Sequence, residues 1–386
     1  MNILLVDQLG KTTGRATLSL AELINKDKNT NVYVYLSNVT EIPKDKIYTV
    51  TIEKGFEGSY EGNFYQKGIN YLKALKKLRT YIIKKNIDVV YLQWFSLPWI
   101  EWIYIKLLKK YCKVTIMIHD VIPFNNRPLE MKYLDKIYNN ADLLFIHTKI
   151  AKEEFKQNYT STTPILITGQ AFSDKNDYNK VNKNIAREHL NIPKDKIVFL
   201  FYGTIREAKG LDILIQAFHE AYKENKHIFL VIAGAFNKVN EEKYKSLVRN
   251  LLTNENSFIN FSFIPEAQEK YYLSAVDVLC LPYRRLTQSG IAQIGLMYDL
   301  PMIATDVGAM KEVVRDKENG LIFKVDDIKN CKQALLQMAD DENIRKTYAN
   351  KSYELSINEF SLAQKAQIIL KECTNLMNNN NLVEKD

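Results

Sequence analysis

The sequence predicts an α/β protein made of two parallel-sheet halves, and three observations carry that prediction. Short β-branched runs alternate with amphipathic segments along the whole 386-residue chain, the pattern left by parallel strands joined through helices. A polar, turn-rich stretch, Ser173-Asp174-Lys175-Asn176-Asp177-Tyr178-Asn179-Lys180, interrupts the alternation, which then restarts. At roughly 100–200 residues per domain, the length suits two or three domains with sizeable cores.

In the first half the strands expected are Asn2–Val6, Asn31–Leu36, Ile87–Leu92, Lys113–Ile118, Leu143–Ile146 and Ile165–Ile167. Between them Tyr71, Leu75, Leu78 and Ile82 stand at i, i+4, i+7 and i+11, one face of a helix. In the second half the strands expected are Ile197–Tyr202, Ile228–Ala233, Phe258–Phe263, Asp277–Leu281, Met302–Ala304 and Leu321–Phe323. Two Rossmann-like halves follow, residues 1–172 and 195–360, with a linker over 173–194. The Asn-rich end, residues 378–386, reads as a frayed tail. In such sheets ligands bind outside the carboxyl ends of the strands.

Composition narrows the class. Hydrophobic residues make up 46% and charged residues 25%, which excludes collagen-like and wholly disordered chains. Cys112, Cys280, Cys331 and Cys373 form no C-x-x-C pair, so a zinc site or disulfide framework is not expected and a reducing compartment is. The N-terminus lacks a basic n-region, and no stretch reaches the ~20 apolar residues of a membrane span. A cytoplasmic protein is expected, with contact to a membrane surface left open. The net charge of +8 is uneven: residues 1–190 hold 28 Lys/Arg against 19 Asp/Glu, and the remainder 25 against 26.

Three segments could carry chemistry. In Tyr202-Gly203-Thr204-Ile205-Arg206-Glu207-Ala208-Lys209-Gly210 a strand runs into Gly203, where backbone can approach a ligand, and Arg206 and Lys209 can neutralise a diphosphate. A solvated turn with two surface cations is the competing reading. In Thr287-Gln288-Ser289-Gly290-Ile291 a helix begins, and its free N–H groups attract phosphate. A simple N-cap is the alternative there. The strand Lys113–Ile118 ends in His119-Asp120, at the edge where such sheets place reactive groups. His147 ends the next strand and reads as structural.

Taken in order, these pieces join Ile232-Ala233-Gly234, Phe263-Ile264-Pro265, Ala275-Val276-Asp277-Val278, Leu281-Pro282-Tyr283-Arg284, Pro301-Met302-Ile303-Ala304-Thr305-Asp306-Val307-Gly308 and Asn319-Gly320-Leu321. The series resembles glycosyltransferase family 4, nucleotide-sugar-dependent enzymes of the two-domain GT-B type. The resemblance implies a nucleoside-diphosphate sugar as donor substrate, no cofactor, and a retaining, metal-independent transfer to a glycan or lipid-linked acceptor in surface polysaccharide synthesis. It carries the donor-diphosphate contacts over to Arg206 and Lys209 and places the reacting sugar near His119; Gly203, Gln288, Ser289, Gly290 and Ile291 are expected to complete the donor site, and Asp120 to stand beside His119. Gly14 and Arg15 fall in the place of the family's Gly-rich loop, and a C-terminal helix over 361–377 is expected to pack back on the N-terminal half. One departure stands out: the Glu-x7-Glu pair of the family falls on Leu286 and Ile294, or on Thr287 with a one-residue gap. Either amides and hydroxyls of Gln288-Ser289 replace the carboxylates, or the chain is a non-catalytic partner of another transferase.

The basic first half would hold the acceptor, with Trp94 as a contact. Residues 70–85 and 99–113 read as basic, aromatic amphipathic helices, which either rest on an anionic membrane or solvate their lysines while packing on the sheet. No nucleic-acid reading module is present, so nucleic acid is not an expected partner.

Overall fold

The computed structural model describes residues 1–10, 12–40, 42, 47–57, 64–122, 128–169, 171, 178–237, 239–286 and 289–383. It falls into two compact units, Met1–Ser173 with Ser361–Asp386, and Asp174–Phe360.

Unit 1 holds strands β1 (Asn2–Asp7), β2 (Asn31–Ser37), β3 (Thr51–Gly55), β4 (Val89–Leu92), β5 (Lys113–Ile118), β6 (Leu143–Ile146) and β7 (Ile165–Ile167), all parallel, in the order β3-β2-β1-β4-β5-β6-β7. Its helices are α1 (Thr12–Ile24), α2 (Phe64–Lys84), α3 (Pro98–Leu108), α4 (Pro128–Asn140) and α5 (Lys149–Asn158). Successive strand residues point to opposite faces. Leu4 and Val6 join Tyr71, Leu75, Leu78 and Ile82 of α2, as the spacing predicts. Ile3 and Leu5 join Leu18 and Ala21 of α1 on the other side. That second face is completed by Leu362, Ala366, Ile369 and Cys373 of the C-terminal helix, Leu362–Val383. Each fully buried Leu or Ile contributes ~1.5–3 kcal/mol, so this helix belongs to the core of unit 1 although it lies some 190 residues from the rest in sequence.

Unit 2 has a six-stranded parallel sheet of β8 (Ile197–Tyr202), β9 (Ile228–Ala233), β10 (Ser257–Asn260), β11 (Val278–Leu281), β12 (Met302–Thr305) and β13 (Gly320–Phe323), ordered β10-β9-β8-β11-β12-β13. Helices α6 (Lys183–His189), α7 (Leu211–Glu224), α8 (Glu241–Leu251), α9 (Glu266–Ala275), α10 (Gly290–Met297), α11 (Met310–Val313), α12 (Ile328–Asp340) and α13 (Glu342–Asn358) complete it; the C-terminal helix is α14. Both sheets reverse strand order, at β1/β4 and at β8/β11, and α/β proteins bind ligands outside the strand ends at such reversals. Each unit is thus Rossmann-like, as expected.

Three sequence expectations are corrected. Strand β3 was not expected: it is an edge strand whose Thr51, Glu53 and Lys54 are exposed, and charged edges hide the apolar alternation. The linker expected over 173–194 contains α6, capped by the Asn182 side chain. Buried Arg187 anchors it through the carbonyls of Ala275, Lys194 and Lys196 and through Asp277 at 2.7 Å. The tail expected to fray from Asn378 continues as helix to Val383.

Candidate functional site

In unit 2 the strand-order reversal brings the end of β8 beside the end of β11. Gly203 follows β8 with φ +103°, and a Cβ at Gly234 would lie 1.9 Å from the Gly203 carbonyl oxygen. The loop after β8 is therefore held by backbone packed too closely for any side chain. It is braced from β11 as well. Arg284 N–H donates to the Ala208 carbonyl at 2.8 Å, and the guanidinium donates to both oxygens of Asp212 at 2.8 and 3.0 Å and to Asp326 at 2.6 Å. Burial works to raise the Asp212 carboxyl, but hydrogen bonds from Arg284 and Lys243 outweigh it and leave the pKa lowered. Arg284 thus acts as a rivet, and the loop it holds presents Arg206 and Lys209.

Both cations line a pocket of about 420 Å³ together with Tyr202, Gly203, Thr204, Gly234, Phe263, Glu266, Glu269 and Ile291. Arg206 is exposed and Lys209 half-buried, its ammonium 3.6 Å from the centre of the Tyr283 ring, a cation–π contact. Burial first, and the Arg206 charge second, push the Lys209 pKa down to about 8. A bound anion relieves both effects, which is the electrostatic character of a phosphate site. At the other wall the Tyr202 hydroxyl donates to Glu269 Oε2 at 3.1 Å, and burial raises the Glu269 carboxyl. Cations and carboxylates in one pocket suit a ligand that is anionic at one end and rich in N–H or O–H donors at the other.

Ser289 is buried and caps α10, its hydroxyl accepting from Ala292 N–H at 3.1 Å, so its side chain has the structural role that the N-cap alternative assigned it. A Cβ at Gly290 would meet nothing within 4 Å, leaving open space at the helix start, and Ile291 approaches Gly203 across the pocket. Gln288 and Thr287 lie outside the described residues.

In unit 1 the aromatic residues cluster beyond the ends of β4, β5 and β6. Trp94 and His119 stack in parallel, with ring centres 4.0 Å apart and planes 5° apart. The Trp94 Nε1 is buried and meets no acceptor among the described residues. His119 Nδ1 lies 3.1 Å from His147 Nε2, and His147 Nδ1 lies 3.2 Å from the Gly169 carbonyl. Lys365 of α14 is buried in the same region, 3.5 Å from the Ala171 carbonyl. Burial, with the Lys365 charge as second cause, lowers the His119 pKa to about 3 and takes His147 well below its ordinary value. Asp120 is exposed.

Gly14 and Arg15, expected in a ligand loop, lie within α1. A Cβ at Gly14 would sit 2.4 Å from the Thr40 side chain, so this glycine is required by packing. Buried Asp7 organises the turn before α1 by accepting from Leu9 and Gly10 N–H at 3.0 and 3.1 Å. Sequence reasoning missed Glu269, Glu266 and Lys365, and it read His147 as structural. The two glutamates are three residues apart on α9, one face of its first turn, a spacing that could have pointed to them. Among the described residues, no three His, Cys, Asp or Glu side chains gather as a metal site would need.

Comparison with known proteins agrees with this architecture. Residues 182–355 match the family model of glycosyl transferases group 1, and residues 29–170 match the N-terminal domain of glucosyltransferase 3-like proteins. An uncharacterized glycosyltransferase of Methanocaldococcus jannaschii is 24% identical over 89% of this chain and 90% of its own. The capsular polysaccharide biosynthesis glycosyltransferase CapM of Staphylococcus aureus is 22% identical over 62% of this chain and 61% of its own. The crystal structure of Anabaena HepE with UDP and glucose superposes with a TM-score of 0.73 at 16% identity, covering 97% of this chain and 100% of that one. The chain has the GT-B fold, and its second half is similar to the glycosyl transferases group 1 domain. The relatives it resembles are glycosyltransferases, consistent with the resemblance to family 4.

Proposed function

We propose that this protein transfers a sugar, with retention, from a nucleoside-diphosphate sugar to a glycan or lipid-linked acceptor in surface polysaccharide synthesis. The observation that carries the reading is the pair Arg206 and Lys209, fixed by the Arg284 brace beside a pocket at the strand-order reversal of unit 2. As the bond between the anomeric carbon and the diphosphate oxygen breaks, negative charge grows on the diphosphate. Prepositioned cations stabilise that charge more than they stabilise the bound donor. N–H groups at Ser289–Gly290 would add to this, and Glu269 would accept from donor hydroxyls or base N–H groups, a task the missing Glu-x7-Glu carboxylates leave open. His119 would accept a hydrogen bond from a hydroxyl of the reacting sugar, with Asp120 and Trp94 nearby. No metal or cofactor enters this scheme.

The relative CapM belongs to capsular polysaccharide biosynthesis, which supports the acceptor class. In unit 1 the groove between α2 and α3 is lined by Leu72, Trp99 and Ile103, which are 49%, 54% and 56% exposed, and by Lys76 and Arg79. Such a basic-rimmed apolar patch supports a cytoplasmic enzyme peripheral to an anionic membrane. No helix among the described residues is long and apolar enough to cross a membrane.

The test is incubation of the purified protein with UDP, GDP and ADP sugars, following release of the nucleoside diphosphate with and without lipid-linked acceptors. Release that Lys209→Ala abolishes is expected. Release unaffected by that change overturns the phosphate assignment. The absence of the Glu-x7-Glu carboxylates favours one second reading, a non-catalytic partner subunit, and nucleotide binding with neither transfer nor hydrolysis would select it.

A further inference from the structure

We propose that His147 is a positioning residue that fixes the tautomer of His119, so that His119 Nε2 always offers a lone pair to a hydroxyl donor of the substrate. The inference rests on the reading of His119 as a site residue and adds to it the residue through which His119 is set.

The Gly169 oxygen can only accept, so His147 Nδ1, 3.2 Å away, carries a proton. A neutral imidazole bears one proton, which leaves His147 Nε2 as a lone pair. His119 Nδ1 lies 3.1 Å from that lone pair and therefore donates to it. Neutral His119 in turn keeps no proton on Nε2. Both rings are held neutral: His147 is buried, and the charge of Lys365 from α14 opposes a second proton on either ring. Ring planes are fixed as well, because Trp94 stacks on His119 at 4.0 Å.

The fold supplies this chain of contacts from four separate segments. Strands β5 and β6 pair with Ile118 opposite Ile146, which sets His119 and His147 side by side one residue beyond the strands. Gly169, with φ +76°, follows β7 in a conformation that other residues rarely take. Lys365 comes from the far end of the chain. A free imidazole exchanges between two tautomers, and only one of them accepts at Nε2. The relay removes that exchange. It also fixes what His119 can recognise: a hydroxyl or other hydrogen-bond donor, and neither a phosphate oxygen nor a carbonyl.

The test reads the tautomer directly. The protein is labelled with 15N-histidine, and long-range 1H–15N spectra of the imidazoles are assigned with His119→Asn and His147→Leu. In the unmodified chain, His119 is expected to carry its proton on Nδ1 from pH 5.5 to 8 without titrating. His147→Leu is expected to release the other tautomer and lower kcat/KM about tenfold, the scale of one hydrogen bond, with nucleotide affinity unchanged. His147→Gln, whose amide oxygen can still accept, is expected to restore most of the loss. Lys365→Met leaves the relay bonds in place and is expected to raise the pH at which His119 titrates, a second readout if His147→Leu does not fold. A proton on Nε2 of His119 in the unmodified protein overturns the proposal, as does a tautomer and rate unchanged in folded His147→Leu. An Nδ1-protonated His119 in a chain that transfers no sugar upholds the relay and counts against the glycosyl-transfer reading instead.

Discussion

The two units share a plan, a parallel sheet with one strand-order reversal, and place opposite electrostatics beyond their strand ends. Unit 2 presents charge: Arg206 and Lys209 on a braced loop, still cationic at neutral pH although burial and mutual repulsion draw Lys209 down to about 8. Unit 1 hides neutral rings: Trp94, His119 and His147 stacked and hydrogen-bonded, with protonation suppressed by burial. One arrangement suits an anion and the other a neutral, hydroxyl-rich group. The bulk charge of the sequence points the other way, since the first half holds the excess lysines. Net charge is thus a poor guide to a site, because a few placed cations decide it and surface lysines do not.

The largest expected break in this contrast is removal of the unit 2 cations. Charged hydrogen bonds are worth ~1.5–3 kcal/mol, so Arg206→Ala and Lys209→Ala should each weaken nucleoside-diphosphate binding about 10- to 100-fold by calorimetry. His119→Ala should leave that affinity intact and lower turnover.

Acid should act on unit 1 first. The folded pKa values of His119 and His147 lie below the ordinary value of about 6.5, so the unfolded chain takes up these protons before the folded one. Stability is therefore full above about pH 6.5 and falls below it, by up to ~1.4 kcal/mol per pH unit for each ring. Denaturant titrations at stepped pH should show this slope, and His147→Leu should remove part of it.

Alkali should act on unit 2. Lys209 loses its proton as pH rises through about 8, so diphosphate affinity should decline above that pH, and Lys209→Arg should flatten the decline. The smallest effect is expected at Glu269. Glu269→Gln should weaken a nucleoside diphosphate a few-fold and leave inorganic diphosphate unaffected, which separates the two walls of the pocket.

Much of this was legible in the sequence for physical reasons. Strands buried on both faces appear as unbroken apolar runs such as Phe199-Leu200-Phe201, and the glycine and cations after β8 follow directly. What was hidden depends on partners distant in sequence. His147 shows no pattern because its partner His119 arrives from the neighbouring strand. Lys365 is buried only because α14, distant in sequence, packs into unit 1. Gly14 reads as a ligand loop because nothing in its own neighbourhood announces Thr40. Edge strand β3 is masked by its charges.

The measurement that bears most directly on the division of labour is nucleoside-diphosphate affinity by titration calorimetry in three proteins: unmodified, Arg206→Ala/Lys209→Ala, and His119→Ala. The account predicts binding in the first and third with equal affinity and loss of binding in the second. Binding retained by the double variant, or lost in His119→Ala, would contradict it.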